Sequence, residues 1–183
     1  MKLKDMMLVA LFAAFTAALG LLPPIPLPFT PVPITAQTLG VMLAGAVLGS
    51  RLGGLSILIF VLLIAIGAPV LPGGRGGWPI FLLPNGGYIL AWPLAAFVIG
   101  LLVERWAQQP RFWPIFFSTI IGGIVVIYLI GVPYHAWIAN LPLHATALPT
   151  VTYLPGDVLK AIIASVVAVR VRRMLPLLNR SET

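Results

Sequence analysis

The segment Leu154-Pro155-Gly156-Asp157-Val158-Leu159-Lys160-Ala161 places two opposite charges inside a long uncharged part of the sequence. The chain before Asp157 carries no Lys, Arg, Asp or Glu back to Arg111, and the chain after Lys160 is uncharged as far as Arg170. A helix rises about 1.5 Å per residue, which puts Asp157 about 20 Å and Lys160 about 15 Å from Arg170. Because the hydrocarbon layer of a bilayer is about 30 Å thick, both charges are expected below the outer membrane surface.

Two interpretations of this charged pair remain open at the level of sequence. A charge facing lipid at a helix centre costs roughly 2.5 to 3.5 kcal/mol, which favours an inward-facing, partnered position. Spacing of three residues puts Asp157 and Lys160 on one helical face, with Cβ atoms about 5 to 6 Å apart. That face suits a small, polar, anionic ligand held in a cavity. The alternative is a mutual salt bridge, with Asp157 favoured by the helix dipole and Lys160 extending toward the surface.

The composition is that of an integral membrane protein. Of 183 residues, 60% are hydrophobic and only 8% are charged, and the mean hydropathy is +1.08. About six spans of roughly 20 residues use about 120 positions and leave no room for a soluble catalytic domain. We therefore expect one polytopic domain over residues 1–183. The absence of cysteine excludes disulfides and thiolate metal sites.

Hydropathy, glycine and proline together predict an all-α membrane protein with six transmembrane helices. These are expected at residues 5–22, 36–49, 52–67, 87–106, 113–132 and 156–175, with outer connections at 23–35, 68–86 and 133–155. The first helix is expected to be retained as a span, because its apolar run is long and no small-residue cleavage pattern follows it. The tail at residues 179–183 is expected to be disordered.

Two of the outer connections have unusual compositions. The first, residues 23–35, alternates proline with apolar residues, which excludes helix and central strand and favours an extended path across the bundle, as a lid or as an interfacial brace. The second contains Gly73-Gly74-Arg75-Gly76-Gly77 and stays apolar. Non-helical backbone of this kind is tolerated at membrane depth where it is buried or lines a cavity, so we expect part of a binding site. No Gly-x-x-x-x-Gly-Lys-Ser/Thr pattern is present, which argues against a nucleotide site.

The distribution of basic residues predicts the orientation. With the amino terminus inside, the cytoplasmic side carries Lys2, Lys4, Arg51, Arg105, Arg111, Arg170, Arg172, Arg173 and Arg180. Only Arg75 and the intramembrane Lys160 lie elsewhere, so both termini are expected in the cytoplasm. The long, irregular connections then face outward, which implies a pocket open to the outside near the outer end of the last helix.

Catalytic and metal-binding chemistry have weak support. A Ser/His hydrolase would draw on Ser56, Ser118, His135 and His144, but no Gly-x-Ser-x-Gly occurs, and Ser118 lies toward the inner end of its helix. The histidines lack helical spacing and have only Asp157 as an acidic partner, which argues against a metal site. A channel would need a polar stripe on several helices, and a pump would need a nucleotide domain. We expect a ligand-capturing membrane subunit without enzymatic activity or cofactor, whose energy source, if it uses one, is another protein.

Aromatic residues near the outer face have two interpretations. Trp78, Trp92, Trp137 and Tyr153 are expected to form an outer aromatic belt, which is the commoner role. The alternative is that one of these rings packs over a bound ligand.

Four segments in chain order resemble the BioY family, the biotin-binding S components of energy-coupling factor (ECF) transporters. They are residues 31–45 (PVPITAQTLGVMLAG), the Gly73-Gly74-Arg75-Gly76-Gly77 loop, Asn85-Gly86-Gly87-Tyr88, and the Leu154 to Ala161 segment. One departure is Asn85, where the family commonly has threonine. The resemblance implies a six-helix S-component fold and high-affinity capture and uptake of biotin across the bacterial plasma (inner) membrane. The implied partners are a transmembrane coupling protein and two ATPases, or a homo-oligomer for a chain acting alone, and no nucleic acid.

By motif position, the resemblance also implies site residues. Asp157 and Lys160 would be the strongest ligand contacts, with Asn85, Gly86, Gly87 and Tyr88 beside them and Gln37 as a further candidate. Asp157 suits the ureido N–H groups of biotin and Lys160 its carboxylate, although which end meets which residue stays open.

The first helix carries a row of small residues, Ala10, Ala14 and Ala18. Small residues four apart permit close helix packing, within the bundle or with a partner. The resemblance implies that this row contacts the coupling protein. The alternative functions are an S component for another small vitamin and an intramembrane hydrolase.

Overall fold

The computed structural model describes residues 2–28, 30–107 and 109–174 and is mostly helical. Its helices and strands, in chain order, are α1 (Leu3–Leu19), β1 (Ile25–Leu27), β2 (Thr30–Ile34), α2 (Gln37–Ala65), α3 (Gly86–Trp106), α4 (Phe112–Ile120), α5 (Ile127–Ala139), α6 (Leu143–Thr150) and α7 (Leu154–Met174). A π-helical segment, Ile121–Val126, joins α4 to α5, and short 3-10 turns occupy Trp78–Leu82 and Val151–Tyr153. The expected disordered tail lies outside the described residues, as does the last residue of the predicted sixth helix.

Three helices of the described chain are long and apolar enough to cross a membrane. They are Gln37–Ala65, Gly86–Trp106 and Phe112–Ala139, with hydropathies of 2.2, 2.0 and 2.5. By length and composition alone, α1 and α7 are not identified as membrane-spanning helices. α1 has only 17 residues, and the end of α7 is basic. The count of six spans and the position of the termini therefore stay predictions.

The second and third predicted helices are present as the two parts of α2, which meet in a tight turn at Gly49 as the sequence predicts. A Cβ at Gly53 would lie 2.6 Å from the Ala44 carbonyl oxygen, so the second part runs back along the first. Gly49 has φ of 84°, a left-handed conformation that a side chain would strain. The Glu104 carboxylate accepts hydrogen bonds from the Ser50 N–H at 2.7 Å and the Ser50 hydroxyl at 2.8 Å. On the other side of the break, the Arg172 guanidinium donates to the Ala46 carbonyl at 3.1 Å. Side chains of α3 and α7 thus satisfy backbone groups that a helix break leaves open.

The proline-rich connection forms a small hairpin, which corrects the all-α prediction. β1 and β2 pair antiparallel, with Ile25 opposite Ile34 and Leu27 opposite Thr30. Proline is tolerated on edge strands, and in a two-stranded sheet both strands are edges. The Tyr153 hydroxyl donates to the Val32 carbonyl at 2.7 Å and holds the hairpin against the start of α7.

The predicted outer loop at 133–155 is mostly helical. The prediction ends the fifth helix at residue 132, just before Pro133, but α5 continues through Pro133 to Ala139, and α6 follows. In an apolar environment unpaired backbone groups are costly, so a helix persists through a proline that removes one hydrogen bond. α5 ends at Asn140, which has φ of 52°.

Tight helix packing places α3 at the centre of the bundle. α3 packs against α2, α4, α5 and the π-helical segment. A Cβ at Gly100 would overlap the backbone of Gly49 and Ser50, and one at Gly122 would overlap Ile99, so these glycines permit close helix approach. Phe60 and Trp92 stack with ring centroids 6.1 Å apart in the half of the core that adjoins the cavity described next.

Candidate functional site

A cavity lies between the amino-terminal end of α2, α3, α5 and α7, beneath β2 and the glycine-rich loop. The space open to the centres of water-sized molecules is about 80 Å³. Apolar side chains such as Leu71, Ile89 and Ile127 form part of the wall. The polar and aromatic residues that line it are Thr35, Gln37, Thr38, Arg75, Asn85, Tyr88, Trp92, Tyr128, Tyr153, Asp157 and Lys160. A group of polar and aromatic side chains thus surrounds one cavity in a largely apolar chain.

The charged pair of α7 lies in the wall of this cavity. Lys160 Nζ donates to Asp157 Oδ1 at 2.9 Å and to Thr38 Oγ1 at 2.9 Å. The Tyr128 hydroxyl donates to Asp157 Oδ2 at 2.5 Å. Asp157 is buried, at 6% exposure. The two residues therefore form the mutual salt bridge of the second interpretation, and they also border a void, which the ligand-site interpretation requires.

The local sequence explains why α7 presents this pair. Pro155 lies in the first turn of α7. Backbone N–H groups in the first turn make no hydrogen bond within the helix, so proline, which lacks an N–H, is tolerated there. Asp157, also in the first turn, is favoured by the positive end of the helix dipole. Lys160 follows three residues later on the same face, and α2 and α5 supply Thr38 and Tyr128 from opposite sides. The pair is thus held from three helices.

Three buried polar atoms in the cavity wall have no hydrogen-bond partner among the described residues. They are Gln37 Oε1, the Tyr88 hydroxyl and Trp92 Nε1. Gln37 Nε2 donates to the Val70 carbonyl at 2.9 Å and to the Thr16 carbonyl at 3.3 Å, which fixes the amide and leaves its oxygen as the open acceptor. Buried polar atoms are nearly always paired, so an acceptor, a hydroxyl and a donor left open in one cavity indicate a polar occupant.

The cavity extends along α3 and α7 from its mouth inward. Asn85 at the start of α3 and Trp92 further in are separated by about 10 Å of helix rise, and Tyr153 and Lys160 by a similar distance. Arg75 belongs to the outer loop, is exposed, and donates from Nε to the Pro72 carbonyl at 3.2 Å. Its two terminal amino groups have no partner among the described residues. The cavity therefore has a paired cation inside and an available cation at the mouth.

The structure brings together five of the seven residues predicted to bind ligand: Gln37, Asn85, Tyr88, Asp157 and Lys160 line the cavity. The other two, Gly86 and Gly87, are buried against protein. A Cβ at Gly86 would overlap the Phe81 carbonyl, and one at Gly87 would overlap the Tyr134 side chain. These glycines let α3 begin close to its neighbours and so position Asn85 and Tyr88.

Sequence reasoning missed several lining residues. Arg75 had a signal, since it was one of two basic residues left outside the cytoplasmic group. Trp92 was expected in the outer aromatic belt but is buried in the cavity wall. Thr38 and Tyr128 had no signal, because their role depends on how α2 and α5 meet α7.

The remaining predicted sites lie away from the cavity. Ala10, Ala14 and Ala18 are all exposed on one face of α1, while Val9, Ala13 and Thr16 are buried against the bundle. Ser118 and His135 lie on the same continuous helix, separated by about 25 Å of helix rise, so they do not form a Ser/His pair.

Comparison with known proteins gives a consistent result. The chain matches the BioY family model over residues 1–177. It is 46% identical over 177 residues to the probable biotin transporter BioY of Bacillus subtilis, covering 97% of this chain and 95% of that protein. It is 48% identical over 183 residues to the biotin transporter BioY of Rhizobium etli, covering 97% and 98%.

A solved structure is similar over nearly the whole fold. The crystal structure of the S-component for biotin from an ECF-type ABC transporter matches with a TM-score of 0.92 and 34% identity. The match covers 97% of this chain and 96% of the other.

Proposed function

The chain belongs to the BioY family, and on that premise we propose that it captures biotin for uptake as the substrate-binding S component of an ECF-type transporter. The observation that carries the proposal is the cavity itself. A buried Asp157–Lys160 pair and three unpartnered polar atoms face one void in a protein that is otherwise apolar. The S-component likeness of the whole fold supports the same function.

The charged pair suits the ureido ring of biotin. That ring offers two N–H donors and one carbonyl acceptor, and is neutral. Asp157 can accept from an N–H, and Lys160 can donate to the carbonyl, so the net charge of the buried group stays zero. The open atoms of Gln37, Tyr88 and Trp92 add further acceptors and donors. Leu71, Ile89 and Ile127 supply an apolar wall for the thioether ring.

The carboxylate of biotin fits Arg75 at the mouth. Lys160 also suits a carboxylate by its charge, but the Lys160 ammonium already shares that charge with Asp157 at 2.9 Å. Arg75 has terminal amino groups without a partner in the described chain, and a guanidinium can hold a carboxylate with two parallel hydrogen bonds. Asn85 lines the same cavity near its mouth and can add a hydrogen bond.

A pair of ligands tests this assignment on purified protein. We expect Arg75→Gln to weaken biotin binding about tenfold or more and to leave the binding of biotin methyl ester unchanged, because the ester has no charge for Arg75 to hold. Lys160→Met should weaken both ligands. Isothermal titration calorimetry gives the affinities, and thermal unfolding of each variant without ligand controls for folding. If Lys160→Met affects only biotin, and Arg75→Gln affects neither ligand, the orientation is the reverse.

The finer architecture is part of the same proposal. We propose six spans, namely α1, the two parts of α2 on either side of Gly49, α3, Phe112–Ala139 and α7, with both termini in the cytoplasm of a bacterial cell. The exposed face of α1 that carries Ala10, Ala14 and Ala18 would meet the transmembrane coupling protein, which two ATPases drive. The chain itself would supply no enzymatic step and need no cofactor.

A further inference from the structure

A second concave surface lies on the side of α5 away from the ligand cavity. It runs between α5, α6 and the start of α7, and its apolar lining includes Leu129 and Val132 of α5, Leu143 and Ala147 of α6, and Val151 and Leu154 beyond them. The space open to water-sized centres is about 330 Å³, against about 80 Å³ in the ligand cavity. We call this surface the α5–α6 groove. It is an open apolar concavity on the surface of the helix bundle.

The α5–α6 groove offers nothing to a polar ligand. Two hydroxyl residues line it, and both are already bonded within the protein. The Thr150 hydroxyl donates to the carbonyls of Thr146 and Ala147, at 2.9 and 2.6 Å, and the Tyr128 hydroxyl donates to Asp157 inside the ligand cavity. No charged residue of the described chain lines the groove. Water and polar molecules would find no partners there, whereas hydrocarbon needs none.

The groove is continuous with a surface that faces the membrane. Val125 and Leu129 lie one turn apart on the apolar helix Phe112–Ala139 and are 52% and 72% exposed. Leu129 is also part of the groove lining, and Leu143 and Val151 extend its exposed apolar rim. In a membrane protein, lipid tails cover such a surface, so they reach the groove without crossing a polar barrier.

From these observations we propose that the α5–α6 groove binds one acyl chain of a membrane lipid. The chain lies between α5 and α6 and packs against the ring of Tyr128, which lines both the groove and the ligand cavity. A helix of a second copy fits less well, because a helix with its side chains is about 10 to 12 Å across. The two walls of the groove, α5 and α6, pack directly against each other.

Photo-cross-linking in lipid nanodiscs tests the proposal. The full chain is reconstituted with a phosphatidylcholine that carries a diazirine within one acyl chain, irradiated, digested and analysed by mass spectrometry. We expect label on groove residues of α5 and α6 at several times the level found on exposed residues of α7, such as Val166. Ala147→Phe, which fills the groove, should lower this label several-fold. Val167→Phe, at an exposed position outside the groove, should leave it unchanged.

Several results would contradict the proposal. Equal labelling of all exposed helices, or unchanged groove labelling in Ala147→Phe, would show ordinary lipid contact and overturn the proposal. So would groove label from a lipid with the diazirine on its headgroup, or groove cross-links to a second copy of the chain. Should Ala147→Phe fail to fold by thermal unfolding, Val151→Phe at the exposed rim gives the same comparison. None of these outcomes depends on biotin binding.

Discussion

At the scale of single residues, the Asp157–Lys160 pair is held by hydrogen bonds that involve three helices. Asp157 accepts from Lys160 and Tyr128, and Lys160 also donates to Thr38. A buried ion pair adds little net stability over apolar residues, but removing one partner leaves an uncompensated charge. The importance of the ion pair can therefore be tested without ligand, by comparing the stability of single and double variants.

We expect Asp157→Asn and Lys160→Met each to destabilise the protein by about 3 to 5 kcal/mol, and the double variant by much less than the sum. The reason is that each single change strands one charge and the double change strands none. Thermal unfolding in detergent without ligand measures all three. Additive losses would mean that the two side chains act independently. Biotin binding should be lost in all three variants, because the double variant restores stability without restoring the polar contacts.

A second residue-scale prediction concerns the open Tyr88 hydroxyl. Tyr88→Phe should weaken biotin binding about three- to tenfold and leave stability without ligand unchanged or slightly higher, since the hydroxyl has no partner among the described residues. Tyr134→Phe is the matched control. The Tyr134 hydroxyl donates to the Phe81 carbonyl outside the cavity, so its loss should lower stability by about 1 kcal/mol and leave affinity unchanged. Calorimetry and thermal unfolding separate the two effects, and equal behaviour of the two variants would count against a ligand contact at Tyr88.

The sequence places Asp157, Lys160, Asn85, Tyr88 and Gln37 in one site, and the structure brings them together. Charge in an apolar chain made the first two conspicuous, and motif resemblance supplied the others. Polar atoms without a hydrogen-bond partner could not be predicted from the sequence. Whether Trp92 Nε1 finds a partner depends on the packing of neighbouring helices. Tertiary packing likewise decides that Gly86 and Gly87 contact other parts of the protein and do not line the cavity.

At the scale of elements, glycine and proline mark changes in the chain, but their effect depends on the surroundings. Gly49 was expected to end a helix at a tight hairpin, and the two parts of α2 do reverse direction there. Pro133 was expected to end a helix, and α5 continues through it. The prolines at 23–33 were expected to exclude helix and central strand and to favour an extended path, and the segment is an extended two-stranded hairpin whose pairing was not predicted. The helix through Pro133 and the strand pairing could not be predicted, because both depend on backbone hydrogen bonds that only the assembled bundle provides.

The break in α2 gives an element-scale prediction. Gly49→Ala should lower stability by about 1 to 3 kcal/mol, because a Cβ at φ of 84° is strained and would collide with the Glu104 carboxylate that caps the next helical segment. Gly156→Ala is the control, since no atom lies near its Cβ position and alanine favours helix by up to about 1 kcal/mol.

Thermal unfolding in detergent compares the two variants. Gly156→Ala should be neutral or stabilising. An unfolding temperature of Gly49→Ala equal to that of the wild type would show that the break does not need glycine.

At the scale of the whole molecule, two groups of polar residues stand out in the part of the chain that the structure describes. One surrounds the ligand cavity between α2, α3, α5 and α7, and the other, with Glu104, Ser50 and Arg172, binds backbone groups at the turn in α2. Elsewhere the helices pack mainly through small and apolar residues. A rigid apolar bundle that presents one polar cavity suits capture of a small vitamin better than conduction or catalysis.

The most direct test of this account is calorimetric titration of the purified chain with biotin, alone and in the presence of excess thiamine or riboflavin. The account predicts saturable binding of one biotin per chain, unaffected by either competitor and absent in the Asp157→Asn, Lys160→Met double variant. Binding of thiamine or riboflavin with no binding of biotin, or full biotin binding by the double variant, would contradict it.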